Sequence, residues 1–323
     1  MRYSCLRKFR SRQFCVNLGI MYSGILCFTN EHAISRILNV TDIIVEWNIR
    51  DSAILNAIWV REMPYLLYTK NFAHFDEEAI SLAHLSLHGN YERSIDIDPR
   101  VAYLHLAYHL DDSRAGQYDA KRNQNLALFS NVLGLQSVVA ELGAIYLAIE
   151  NGAAHDNLCE FIHTHHASLS NALGAVEEIV SARYDAHQSR IKAIHSIHKK
   201  MQQSNLLSPY QILDILAVRI IVDDVRECYA GIEWAASMWK LVGIKDYIAS
   251  PKPNGYQSLH ILVQVSSWTV ELQLRTKDMH LEAEYGRASH ASYKETVPKI
   301  KLRTMSALKR LKADGVGMPT TSH

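Results

Sequence analysis

From residue 31 to about 180, apolar positions recur at intervals of three and four, and strand-like alternation is rare, so this half reads as helical. The stretch NLALFSNVLGLQSVVAELGAIYLAIENG (125–152) predicts one long helix with Gly152 as its C-cap, and NGAAHDN (151–157) marks a break after it. From about residue 212 the pattern changes. ILAVRIIV (215–222), SLHILVQV (258–265) and TVELQLRT (269–276) predict strands, the last two joined by the short turn SSW. Helices are expected at 226–240 and 277–294. The pattern therefore predicts an α+β chain: an all-helical N-terminal domain followed by a mixed β-sheet domain flanked by helices.

Period two in TVELQLRT puts Val270, Leu272 and Leu274 on one face and Glu271, Gln273 and Arg275 on the other. Taken alone, the polar set reads as a solvated strand face. SRIKAIHSIHKKMQ (189–202), wound as a helix, brings Lys192, Ser196, Lys199 and Lys200 into one arc, with Ile194, Ile197 and Met201 opposite. A solvated amphipathic helix would look the same. The absence of any acid on this segment to offset the lysines favours a bound anion. Asp214, at the entrance to 215–222, is either a turn residue or half of a magnesium site completed by Glu271.

The loop KDYIASPKPNGYQSLH (245–260) has the proline, glycine and asparagine of a turn, yet also Lys245, Lys252, Tyr256 and His260. Lysines hold phosphates, a tyrosine ring stacks on any flat base, and Gly255 lets backbone approach a ligand. Metal, phosphate and aromatic groups together point to phosphoryl or pyrophosphoryl chemistry on a nucleotide.

Composition narrows the classes. The chain of 323 residues is 48% hydrophobic and 21% charged, which suits two globular domains. A net charge of +1 gives no whole-chain attraction to DNA or an anionic membrane, so any anion site is local. Cys5, Cys15, Cys27, Cys159 and Cys228 are odd in number and form no CxxC pair, which favours a reducing, cytoplasmic setting over a disulfide framework. Arginines and a lysine precede the apolar run 14–28, the outline of a signal peptide, but Asn17 interrupts it and no small-x-small cleavage site follows. Residues 1–30 are read as a leader or buried helix rather than an export signal.

SRIKAIHSIHKKMQ, LDILAVRIIVDDVRECYA, KDYIASPKPNGYQSLH, VELQLRTKDMHLEAEYG and SHASYKE follow one another in an order that resembles the (p)ppGpp synthetase domain of the RelA/SpoT homologues, over about 185–296. That resemblance implies a nucleotidyltransferase-like sheet and transfer of the β,γ-pyrophosphate of ATP to the 3′-hydroxyl of GDP or GTP. It implies ATP contacts from Arg190, Lys192, Ser196, Lys200, Arg219 and Lys245, and guanine-nucleotide contacts from Tyr256, Lys252, Asn254, His260, Gln273 and Arg275. Asp214 and Glu271 would hold magnesium, with Glu271 also the base on the acceptor hydroxyl. The chain departs from the family where PGRFKDY becomes VGIKDY, so that Gly243 replaces an arginine, and where Ser292 replaces an aromatic residue.

DPRVAYLHLAYHLDDSRA (98–115) resembles, more faintly, a segment of the family's hydrolase domain, with Tyr108 in place of a metal-binding aspartate. LHGNYER (87–93) resembles its LHDxxED motif, retaining His88 and Glu92 but with Gly89 and Arg93 in place of the acids. The domains expected are a leader (1–30), a degenerate hydrolase-like helical domain (31–155), a helical connector (156–184), the synthetase domain (185–296) and a basic tail (297–323). A synthetase without hydrolase activity is the main reading. A tRNA 3′ end as acceptor and a decayed nucleotide-binding protein without turnover are the alternatives. A homo-oligomer stays open.

Overall fold

The computed structural model describes residues 31–62, 76–87, 90–117, 126, 129–130 and 132–285. The readings made for residues 1–30, His88, Gly89, the Glu92 side chain, Ser292 and the basic tail fall outside them. The chain divides into two compact units, with the boundary between Val139 and Ala140.

In the first unit, helices α1 (Glu31–Glu46), α2 (Ser52–Glu62), α3 (Glu77–Leu87), α4 (Tyr91–Ile97) and α5 (Val101–Arg114) follow one another. Asp51, Asp76 and Asn90 accept backbone N–H groups at the starts of α2, α3 and α4, which satisfies donors that a helix leaves free. Ile37, Ile43, Ile44, Ile54, Ile58, Leu82 and Tyr103 form the core. Tyr108 is fully buried there. Its hydroxyl donates to the Ile58 carbonyl at 3.5 Å, and the Arg61 guanidinium lies 3.7 Å from its ring centroid.

The expected single helix over 125–152 is interrupted. Gly134 takes φ +76°, which turns the chain before α6 (Gln136–Glu150). Gly152 does not cap that helix. It opens α7 (Gly152–Ser181), whose N-cap is Asn151, with Oδ1 accepting from Ala154 N at 3.1 Å. The break read over 151–157 is confined to Asn151, because the capping amide restarts the helix at once.

The second unit is built on five strands: β1 (His187–Ile191), β2 (Leu216–Val222), β3 (Lys240–Asp246), β4 (Leu259–Val265) and β5 (Trp268–Thr276). Helix α8 (Ile194–Gln203) follows β1, α9 (Val225–Met238) follows β2, and α10 (Lys277–Tyr285) follows β5. The sheet order is β1-β2-β5-β4-β3; β2 and β5 are parallel and the other pairs antiparallel. β4 and β5 form a hairpin whose turn is Ser266–Ser267, with Ser266 at φ +51° and Trp268 already paired with Val265.

One face of the sheet supplies the core. Val218, Ile220, Ile261, Val263, Val270, Leu272 and Leu274 pack with Leu169, Val176 and Val180 of α7 and with Cys228, Trp234 and Ala235 of α9. Ile197 of α8 joins this core, flanked by Ile194 and Met201, as the apolar side of the segment predicts. That segment is not helical throughout, however. Ser189–Ile191 belong to β1 and pair with Leu216–Val218, so Lys192 lies between strand and helix rather than on a helical stripe. Cross-strand bonding overrides the three-to-four spacing there, since a partner strand satisfies the same backbone groups. No described helix is long and apolar enough to cross a membrane.

Candidate active site

The second sheet face carries the polar residues. Pairing aligns Gln188, Arg219, Gln273, His260 and Lys245 in one row across all five strands. The adjacent row holds Arg190, Ala217, Glu271, Leu262 and Gly243. These rows floor a cavity of about 300 Å³, whose lining includes Arg190, Lys200, Asp214, Arg219, Lys245, Lys252, Tyr256, His260, Glu271, Gln273 and Arg275. The polar face of β5 is therefore not the solvated face that alternation alone suggests. Glu271 and Arg275 are 2% exposed and Gln273 is 6% exposed, because neighbouring strands and the 245–260 loop cover them.

Burying a carboxylate costs free energy unless its oxygens are paired. Glu271 Oε1 lies 2.6 Å from Gln273 Nε2 and 3.2 Å from His260 Nδ1, and Oε2 lies 3.3 Å from Lys245 Nζ. Burial pushes the Glu271 carboxyl up, but hydrogen bonds from His260 and Gln273 and the charge of Lys245 outweigh it and hold the group well below the usual carboxylate range. Asp214 Oδ2 accepts from Lys192 at 2.9 Å and Lys200 at 3.2 Å. Burial raises its pKa and these two lysines more than reverse the effect. Asp214 Oδ1 is buried without a hydrogen-bond partner, so one carboxylate oxygen is left for a ligand.

The aromatic side is equally ordered. The Tyr256 hydroxyl lies 2.9 Å from His260 Nε2, and Arg275 donates to that hydroxyl at 3.5 Å. The Lys252 ammonium sits 4.4 Å from the Tyr247 ring centroid and 4.9 Å from that of Tyr256. Burial pushes its pKa down. Gly255, at φ +83°, makes the turn that returns Tyr256 to the site, and Lys252 N–H donates to the Tyr256 carbonyl.

Three expected residues contribute less directly. Lys192 reaches the site through Asp214. Ser196 Oγ is 3.0 Å from His195 Nε2. Asn254 Oδ1 accepts from Tyr256 N–H and so shapes the loop. Two lining residues were missed: Tyr247, the aromatic of the KDY triplet and the signal that could have found it, and Ala283 of α10, which has no such signal.

Fold and site define an α+β domain with a cavity lined by lysine and arginine side chains around two carboxylates. Residues 189–297 match the profile described as "Region found in RelA / SpoT proteins", and this domain belongs to that family. The chain is 33% identical over 218 residues to a GTP pyrophosphokinase of Streptomyces coelicolor, covering 61% of this chain and 25% of the relative. It is 43% identical over 109 residues to a GTP pyrophosphokinase of Escherichia coli K12, covering 33% of this chain and 14% of the relative. The chain thus spans about a quarter or less of these relatives. Among solved structures, small alarmone synthetase 1 of Bacillus subtilis bound to pppGpp is similar over 49% of this chain and 91% of that one, at 22% identity and a TM-score of 0.37.

Proposed function

We propose that this chain is a (p)ppGpp synthetase that transfers the β,γ-pyrophosphate of ATP to the 3′-hydroxyl of GDP or GTP. The observation that carries this reading is the meeting of Asp214 and Glu271 in a cavity lined by Arg190, Lys200, Arg219, Lys245, Lys252 and Arg275. Family membership and the pyrophosphokinase relatives support it.

In the reaction, the 3′-oxygen attacks the β-phosphorus of ATP, the bond to the α,β-bridging oxygen breaks, and AMP leaves. The proton from the hydroxyl passes to Glu271 Oε2, which is ionised in the free protein. Lys245 is half-exposed and can turn from Oε2 toward phosphate, which removes a stabilising charge and raises the basicity of the carboxylate. Lys200 and Arg190 would hold the donor phosphates, and Tyr256 would take the guanine on its ring. The unpartnered Asp214 Oδ1 and the Glu271 carboxylate fit a hard cation. Held there, magnesium would neutralise charge on the transferring phosphates.

The helical unit would not hydrolyse the product. Tyr108 stands where the resemblance implies a metal-binding aspartate, and the Arg61 cation against its ring opposes a divalent metal.

Incubation of the protein with γ-labelled ATP and GDP, GTP or tRNA tests the reading. Label on the guanine nucleotide together with AMP release is expected. Label on tRNA alone, or nucleotide binding without transfer, would replace it.

A further inference from the structure

The two oxygens of Glu271 have different surroundings. Oε1 faces Gln273 Nε2 at 2.6 Å and His260 Nδ1 at 3.2 Å. Oε2 has, among the described residues, the half-exposed ammonium of Lys245 at 3.3 Å. A carboxylate oxygen is only an acceptor, so its nearness to Nδ1 requires the proton to be there. Nε2 of the neutral ring is then an acceptor, and the Tyr256 hydroxyl, 2.9 Å away, donates to it. Arg275 steadies both ends of this chain of contacts, donating to Tyr256 Oη at 3.5 Å and to Gln273 Oε1 at 3.2 Å. His260 is 6% exposed, so water does not readily replace either contact.

We infer that His260 is a positioning residue that ties the Tyr256 ring to Glu271, so that seating a flat base on Tyr256 and aiming Glu271 Oε2 at the acceptor hydroxyl are a single event. The inference rests on the synthetase reading for its substrates and on the contacts above for its geometry. Gln273 and His260 pin Oε1, so the carboxylate cannot rotate, and Oε2 is the oxygen presented to the hydroxyl. The Tyr256 hydroxyl is therefore not idle. A ring without it would still stack, but would no longer hold His260.

Two substitutions separate the two sides of His260. Asparagine places an amide nitrogen near Nδ1 and keeps the contact with Glu271. Glutamine places its amide oxygen near Nε2, where it accepts from the Tyr256 hydroxyl, and so keeps the contact with Tyr256. With ATP and GDP as substrates, His260→Gln should lower kcat by about tenfold or more while the GDP KM stays within about threefold, since misaiming a reactive group costs rate rather than binding. His260→Asn should lose clearly less kcat. Tyr256→Phe should lower kcat in the wild-type background and have little further effect on His260→Asn, because the link it breaks is already gone. Equal losses in both His260 variants that track melting temperature, or additive Tyr256→Phe and His260→Asn effects, would overturn the inference. Nitrogen-15 spectra of the unliganded protein read the same network without turnover. The Nδ1-protonated tautomer of His260 is expected, with its signal changed by Glu271→Gln and by Tyr256→Phe. A wild-type protein that makes no alarmone but gives these spectra loses the synthetase reading and keeps the Glu271–His260–Tyr256 link. An Nε2-protonated His260 removes the link whatever the turnover.

Discussion

The imidazole of His195 rests against Gly143: a Cβ on that glycine would meet His195 Cγ at 2.5 Å. The contact fixes how closely α6 approaches α8. α8 in turn carries Ser196, beside His195 Nε2, and Lys200, which pairs with Asp214 at 3.2 Å. A glycine outside the cavity thereby helps set the position of groups inside it.

Gly143→Ala should therefore destabilise the protein and weaken the donor site together. Overpacking costs about 1–3 kcal/mol, against the roughly 1 kcal/mol that alanine gains over glycine in a helix. A lower melting temperature and a several-fold weaker calorimetric affinity for a non-hydrolysable ATP analogue are expected. Unchanged values of both would show that α8 yields freely.

His195 also gives stability a pH dependence. Burial and the nearby Lys199 push its pKa below 6.5, outweighing the backbone contact with Ala140 that raises it. Below pH 6.5 the unfolded chain binds the proton more readily than the folded one, so stability falls as pH falls. The loss begins near 6.5, above the range where Asp214 and Glu271 contribute a loss of the same sign. Melting curves between pH 7.5 and about 5 should show it, and His195→Phe should flatten that portion of the profile. An unchanged slope in the variant would assign the effect elsewhere.

Glu271→Gln should reduce synthesis by about three orders of magnitude, since it removes the proton acceptor and one charge from the metal site, while nucleotide binding is mostly retained. Initial rates of AMP release measure this. Retention of more than about a tenth of wild-type turnover would mean that Glu271 is not the base.

Gly243 lies in the same cross-strand row as Glu271, and a Cβ there would meet only Leu262 Cδ1, at an ordinary 3.6 Å. The arginine expected by resemblance therefore has room. Gly243→Arg should tighten nucleotide binding by about tenfold, as one charge-assisted phosphate contact does. It should also raise the melting temperature slightly, because glycine weakens a strand interior. Steady-state kcat/KM for ATP is the measurement, and a fall would show that the VGIKDY strand cannot present the side chain.

Tyr256→Ala should weaken GDP by roughly 5- to 150-fold, the value of about 1–3 kcal/mol for a stacked base. The ATP analogue should be nearly unaffected. Equal losses for both nucleotides, with a matching loss of stability, would make Tyr256 a packing residue.

Local pattern carried much of this protein. Strict alternation in TVELQLRT places Leu272 and Leu274 in the core and Glu271, Gln273 and Arg275 on the other face, because successive side chains of a strand point to opposite sides whatever surrounds it. Proline, asparagine and glycine in the 245–260 loop mark the turn that brings Tyr256 back over the sheet. The ordered motifs of 189–297 were enough to place the domain in its family. Tertiary structure alone decided that the polar face of β5 is buried. Burial depends on what covers a face, and the cover comes from the sequence-distant Arg219, His260 and Lys245, aligned by pairing. It also decided that Ser189–Ile191 form a strand, since their partner Leu216–Val218 lies beyond α8 and no local period records it. The parallel insertion of β5 beside β2, which sets Glu271 against Ala217 and so near Asp214, is of the same kind: register between distant segments is fixed by the packing of the whole sheet.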